Sequence, residues 1–347
     1  MASLASGHKM HVLEGKEFDR IKDKNPKTPS CIRLTPGGWL FPEQFKLFAD
    51  KIYNFEVKPT DVYIITYMKV GTTWTQEIVW TMKHNPNLDH PEGGEPILDR
   101  SPFLDLDMLL PANPPPEMLE NMEPFLRKFL ELCPGADPRN GVHLQTAMAT
   151  PEPRVIKTHL PLSLMPPNLL DKAKVVYVVR NPMDVVCSYY HHCRLFNEMK
   201  FTGTLDEFCE YFLTDDLIYS PYGLHVKEAW EQRHHPNMHI MLYEDMKADA
   251  MKEIKKLDEF LGTRLSEKQL ENVVKFTSFE DMKKRDNLVS KEVRESSVFL
   301  DHEVLKQDGG FFRKGTTGDG KKRLSPEMQK KMKDWIKKNF DFGINYL

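Results

Sequence analysis

Apolar residues along this chain gather in short unbroken runs, each followed by a polar turn and then by a stretch where they recur every three or four positions. The clearest run, Asp61-Val-Tyr-Ile-Ile-Thr-Tyr67, is β-branched and aromatic and lies between Pro59 and a turn containing Gly71, which predicts a buried strand. Beyond it Trp74, Ile78 and Met82 keep helical spacing from Thr72 to about His84. Lys174–Val179 and Met238–Tyr243 repeat the pattern, and Arg154–Thr158 is a shorter fourth candidate. Strands apolar on both faces belong to parallel sheets. The expectation is a single α/β domain with a central parallel β-sheet flanked by helices, its ligands bound beyond the carboxyl ends of the strands.

The flanking regions read less regularly. Scattered polar residues and the breaker run Thr35-Pro-Gly-Gly38 predict an irregular N-terminal arm over 1–40, followed by a helix near Pro42 to Phe55. The main domain then occupies 41–347, with a Pro-rich insertion around 91–140. Seven prolines fall between 91 and 116, and a helix is expected from Glu117 to Leu132. The insertion is a surface excursion or a lid, two uses of long loops in compact domains. Residues 313 to 338 hold ten Lys or Arg against three acids. There Met328, Met332, Trp335 and Ile336 form an apolar stripe, so a docked helix with a solvated basic face is expected.

Composition changes this picture little. With 347 residues, 40% hydrophobic and 29% charged, the chain is an ordinary globular protein. A formal net charge of −3 gives no whole-chain case for nucleic acid or an anionic membrane, so any anion site is local. The five cysteines, at 31, 133, 187, 193 and 209, are odd in number and lack metal-ligand spacing, which fits reduced thiols. Met1 to Lys24 has no apolar core, and no stretch approaches the roughly 18 apolar residues of a spanning helix. A cytoplasmic location with neither a membrane nor a nucleic-acid partner is expected.

Chemistry concentrates where the strands end. Tyr67-Met-Lys-Val-Gly-Thr-Thr-Trp74 joins the first strand to its helix, so the amides of Gly71, Thr72 and Thr73 would face an anion at a helix N-terminus. The lysine precedes the glycine by two, unlike a Walker A loop, and the same residues also serve as a plain turn and cap. Arg180 directly follows a strand, and Ser188 lies about two turns along the next helix; the pair could hold a phosphate, or Arg180 could pair with Asp184. His159, in Lys157-Thr-His-Leu-Pro161, is a candidate general base, with a structural role as the alternative.

Taken in order, Lys69-Val-Gly-Thr-Thr-Trp74, Lys157-Thr-His-Leu-Pro161, Arg180 with Ser188, Tyr243-Glu-Asp245, Thr277-Ser-Phe279 and Arg313-Lys-Gly315 resemble the cytosolic sulfotransferase family over roughly residues 40 to 340. The stretch Lys157 to Asp171 is similar to the arthropod branch that includes a retinol dehydratase. The resemblance implies a P-loop-like phosphosulfate-binding loop and transfer of a sulfuryl group from 3′-phosphoadenosine 5′-phosphosulfate to a hydroxyl or amine of a small apolar acceptor. It assigns Lys69, Val70, Gly71, Thr72 and Thr73 to the phosphosulfate, and Trp74, Tyr243, Thr277, Ser278 and Phe279 to the adenine. Arg180, Ser188, Arg313, Lys314 and Gly315 fall to the 3′-phosphate, His159 becomes the base with Lys157 as its electrostatic partner, and Lys69 neutralises the leaving oxygen. No metal is expected. Phe103, Leu106, Met108, Phe196, Phe299 and Leu300 are candidates for the acceptor pocket or for plain core.

The chain departs from the family pattern at three places. Met68 and Val70 flank the lysine where proline and serine are usual, and Gly320 stands where tryptophan is common. The family's dimer patch is altered at Ser325-Pro326 and Lys330, which leaves a homodimer open. Three other readings also stay open: a nucleotide kinase, a non-catalytic binder of apolar ligands, and a dehydratase acting through a transient sulfate ester.

Overall fold

The computed structural model describes residues 3–110, 122–344 and 346. Its centre is a four-stranded sheet of β4 (Val62–Thr66), β5 (Val155–Thr158), β6 (Lys174–Val179) and β7 (Met238–Leu242), in the order β5-β4-β6-β7 with every pair parallel. Val62, Tyr63, Ile64 and Ile65 are all buried, which is why this run shows no alternation of polar and apolar residues. Arg154 grips Asp61 with Nε at 2.8 Å and a terminal nitrogen at 2.6 Å. That bidentate pair, itself buried, pins the start of β5 to the start of β4.

Strand order decides where a ligand can sit. The chain passes from β4 to β5 on one side and then crosses to β6 on the other. The crevice between β4 and β6 is therefore the switch point at which doubly wound sheets bind ligands. The loop bearing Lys69 follows β4, and Arg180 follows β6, so both flank this crevice.

The N-terminal region is not the irregular arm expected from its polar residues. β1 (Lys9–Val12), β2 (Cys31–Thr35) and β3 (Trp39–Pro42) form a separate antiparallel sheet, with α1 (Gly15–Lys24) between β1 and β2. The supposed breaker, Pro36-Gly37-Gly38, is the hairpin turn itself: both glycines have positive φ, 97° and 71°, as tight hairpins often need. β1 is mostly exposed and carries no apolar run. α2 (Phe45–Tyr53) starts three residues later than Pro42, and the helix Glu123–Leu132 starts later than Glu117; residues 117–121 lie outside those described. The C-terminal helix Pro326–Asn339 buries Met328, Met332 and Ile336 and leaves Lys330, Lys333, Lys337 and Lys338 exposed, as its stripe predicts. All five cysteines are free.

Candidate active site

At the end of β4 the backbone turns through two left-handed residues, Lys69 (φ 65°) and Gly71 (φ 112°), into α3 (Thr72–His84). A Cβ on Gly71 would stand 2.7 Å from the Tyr243 ring, so only glycine fits. No side chain caps α3, and its first amides are open to an anion. The ammonium of Lys69 lies 3.9 Å from the centre of the Phe311 ring. Burial, then Lys157 and Arg180, push its pKa down to about 7.

Arg180 donates to the carbonyls of Lys69 (3.1 Å) and Thr316 (3.0 Å) and lies over the Tyr243 ring at 4.2 Å. Its buried Nε has no partner among the described residues. It does not pair with Asp184. That carboxylate instead accepts from the amides of Gly318 (2.7 Å) and Gly320 (2.8 Å), shaping the loop that carries Arg313, Lys314 and Gly315. Arg313 and Lys314 share Asp319 at 2.6 and 3.2 Å. Gly320, one of the departures from the family pattern, has no room for a side chain: a Cβ there would meet the Met183 carbonyl oxygen at 2.6 Å.

Around His159 the hydrogen bonds fix the tautomer. Nδ1 lies 2.8 Å from the carbonyl oxygen of Thr66, which can only accept, so Nδ1 carries the proton and Nε2 keeps its lone pair. The same logic runs outward through His225. Its Nε2 donates to the His159 carbonyl (2.9 Å), and its Nδ1 accepts from the Tyr177 hydroxyl (2.6 Å). On the other side, the His159 amide donates to Asp105 (3.2 Å), which also accepts from Tyr219 (2.7 Å). Burial, followed by Lys157, holds the His159 pKa well below its ordinary value, so the ring is neutral. Lys157, held at about 8 chiefly by burial, sits 3.8 Å from the Phe103 ring centre.

These groups open onto one cavity of about 370 Å³. Lys69, Gly71, Thr72, Thr73 and Trp74 line it, as do Arg180, Ser188, Tyr243, Phe279, Arg313, Lys314 and Gly315. Lys157 and His159 stand in the same wall, with Phe103, Leu106, Phe196 and Phe299 beyond them. Five sequence candidates do not line it. Val70 is buried in the main core. Thr277 spends its hydroxyl on the Val273 carbonyl (2.8 Å), and Ser278 caps the short helix Phe279–Arg285, so both position Phe279 from behind. Met108 turns into the main core and Leu300 into a smaller one with Leu195, Val293 and Val304. Sequence reasoning gave no site role to Thr66, which ends a run read only as a buried strand, or to Asp105, Tyr219, His225 and Phe311, which belong to no local motif.

Among the described residues no helix is long and apolar enough to cross a membrane. A sequence model described as "Sulfotransferase domain" matches residues 59–342. Sulfotransferase 1A1 of Rattus norvegicus is 39% identical over 281 residues, 80% of this chain and 84% of that protein. Luciferin sulfotransferase of Photinus pyralis is 32% identical over 296 residues, 84% of this chain and 75% of its own length. Among solved structures, retinol dehydratase in complex with retinol and PAP superposes with a TM-score of 0.83 at 32% identity, covering 98% of this chain and 99% of the other. A second complex of retinol dehydratase, with androsterone and inactive cofactor PAP, gives 0.82 at 32% identity, with 98% of each chain covered. This chain therefore belongs to the sulfotransferase family, and its chemistry is sulfuryl transfer.

Proposed function

We propose that the protein transfers a sulfuryl group from 3′-phosphoadenosine 5′-phosphosulfate to a hydroxyl of a small, mostly apolar acceptor. The observation that carries this reading is the single cavity lined by Lys69, Arg180, Arg313 and Lys314, by the apolar Phe103, Leu106, Phe196 and Phe299, and by a neutral His159 whose Nδ1 is held by the Thr66 carbonyl. The donor fits the residues present: uncapped amides at the start of α3, a left-handed glycine at 71 packed against the Tyr243 ring, and an Arg180 Nε without a partner among the described residues.

Bound there, the donor supplies a sulfur electrophile and a 5′-phosphate leaving group, and the chain supplies position and charge. His159 Nε2 accepts the proton of the acceptor hydroxyl as its oxygen bonds to sulfur. Lys69 neutralises the phosphate oxygen from which sulfur departs, and Lys157 holds the acceptor side. Arg180, Ser188, Arg313 and Lys314 hold the 3′-phosphate, and Trp74, Tyr243 and Phe279 enclose the adenine.

Thermal denaturation with PAP tests the reading, because a ligand at a hundred times its Kd stabilises by about 2.7 kcal/mol. The expected result is a rise of a few degrees, absent with ATP and lost in Arg180→Ala, together with transfer of labelled sulfate to phenols or alcohols. A shift favouring ATP would point to a kinase. A second reading, elimination through a transient sulfate ester, draws support from the likeness to retinol dehydratase across 98% of the chain. A stable sulfated retinoid as the product of retinol would dispose of it.

A further inference from the structure

The acceptor end of the cavity holds a carboxylate that the proposed transfer does not use. Glu198 follows the helix Pro182–Leu195, whose start lies beside Arg180 and whose end leads into the apolar half of the cavity. Its Oε2 is shut off from solvent and has no hydrogen-bond partner among the described residues, and burial raises its pKa. Lys27 acts on it from a distance, and the two form no ion pair.

Of the other polar groups lining this end, Asp216 and Asn25 are engaged, whereas the neutral His192, its ring centre 4.4 Å from that of Phe196, leaves its Nδ1 without a partner among the described residues. Asp216 pairs with Arg33 at 3.0 Å and with Arg20 at 3.2 Å, and the Asn25 amide donates to the Ile21 carbonyl at 3.0 Å. The turn that carries Glu198 is also held in place. The Asn197 amide and side chain donate to the carbonyls of Phe299 and Ser297 at 3.0 and 2.8 Å, while the Thr202 amide donates to the Lys24 carbonyl at 2.8 Å. The turn is thus anchored on both sides. An anchored carboxylate in a largely apolar chamber, short of one hydrogen bond, is a recognition group waiting for a donor.

Resting on the sulfuryl-transfer reading, we propose that Glu198 selects acceptors bearing a hydrogen-bond donor, best of all an ammonium, at the end remote from the reacting hydroxyl. Electrostatics orients such a molecule in one way. Among the carboxylates on the cavity wall Glu198 alone has a buried oxygen with no partner among the described residues, so it draws an ammonium to the end remote from the transfer. The acceptor is then a hydroxylated apolar body with a basic terminus.

The test is a matched set of hydroxyl acceptors on one apolar body, ending in amine, hydroxyl, methyl or carboxylate, with kcat/KM measured for labelled sulfate transfer. Wild type should prefer amine over methyl by about tenfold or more, the worth of one charged hydrogen bond, and should reject carboxylate. Glu198→Gln should collapse the amine preference and relieve the rejection of carboxylate, with the change mainly in KM. An unchanged ranking in Glu198→Gln overturns the proposal. So does an equal loss for all four acceptors, which would mark a structural role, checked by the melting temperatures of Glu198→Gln and Glu198→Leu. The PAP-induced thermal shift is read on the same samples. If it is present without an amine preference, only the Glu198 assignment falls; if it is absent from the wild type, the transfer reading falls and the assignment with it.

Discussion

Donor binding should be coupled to proton uptake, and the coupling can be worked from Lys69. Burial, Lys157 and Arg180 hold this ammonium at about 7. A phosphate or sulfate oxygen beside it supplies the missing counter-charge and returns its pKa toward the ordinary lysine range near 10.4. At pH 8 about nine-tenths of the free sites lack the proton, so binding PAP should take up about 0.9 proton at Lys69. Lys157, at about 8, adds up to about half a proton more where the anion reaches it. Because the bound form holds more protons, affinity must fall as pH rises. From Lys69 alone, the Kd at pH 9 should exceed that at pH 7 by about fiftyfold.

Titration calorimetry at pH 8 in buffers of different ionisation enthalpy measures this number directly, and Lys69→Met should abolish the Lys69 share. The unliganded protein should show the opposite slope. With a folded pKa below the unfolded one, the cost of charging Lys69 is full below pH 7 and is relieved as pH rises toward 10.5. The thermal shift given by PAP should therefore be larger at pH 6.5 than at pH 8.5. No uptake at pH 8, or a Kd that stays flat between pH 7 and 9, would refute the reasoning.

Removing the base, His159→Ala, should lower kcat by about 10² to 10⁴ while PAP binding by calorimetry persists. Gly71→Ala must adopt φ 112° against the Tyr243 ring. A left-handed cost of about 1–2 kcal/mol should appear as weaker PAP binding and a lower melting temperature. Gly320→Trp restores the residue common in relatives, yet it should destabilise by about 1–3 kcal/mol in urea unfolding, because Met183 backbone occupies the space.

What the sequence made legible is whatever the chain writes locally. The strands could be read because β4 and β6 are buried on both faces and so appear as unbroken apolar runs. The donor loop could be read because Lys69 to Trp74 are consecutive. The scaffold of His159 could not: Tyr219 reaches Asp105 across 114 positions, and neither residue sits in a recognisable motif. Leu106 and Met108 share one short turn, Leu106–Leu109, yet one faces the cavity and the other the core; hydrophobicity cannot tell these fates apart. β1 failed for the reverse reason, since a mostly exposed strand of four residues has no apolar signature.

The site also runs against the charge balance of the chain. In a protein with a net charge of −3, Lys69, Lys157, Arg180, Arg313 and Lys314 converge on one cavity. Arg313 and Lys314 have Asp319, and Lys157 feels Asp105. Among the described residues neither Lys69 nor Arg180 has a carboxylate in ion-pair contact: Lys69 lies against the Phe311 ring and feels Lys157 and Arg180, while Arg180 donates to two carbonyls, lies over the Tyr243 ring and feels Glu244 from a distance. Such a cluster costs folding stability, and a core running from the sheet to the C-terminal helix keeps it in place. The anion that relieves the repulsion gains as affinity what the empty site loses as stability, so charge-removing changes at Lys69 should weaken donor binding and stabilise the unliganded fold together. A Lys69→Met variant that lost both affinity and unliganded melting temperature would break that link.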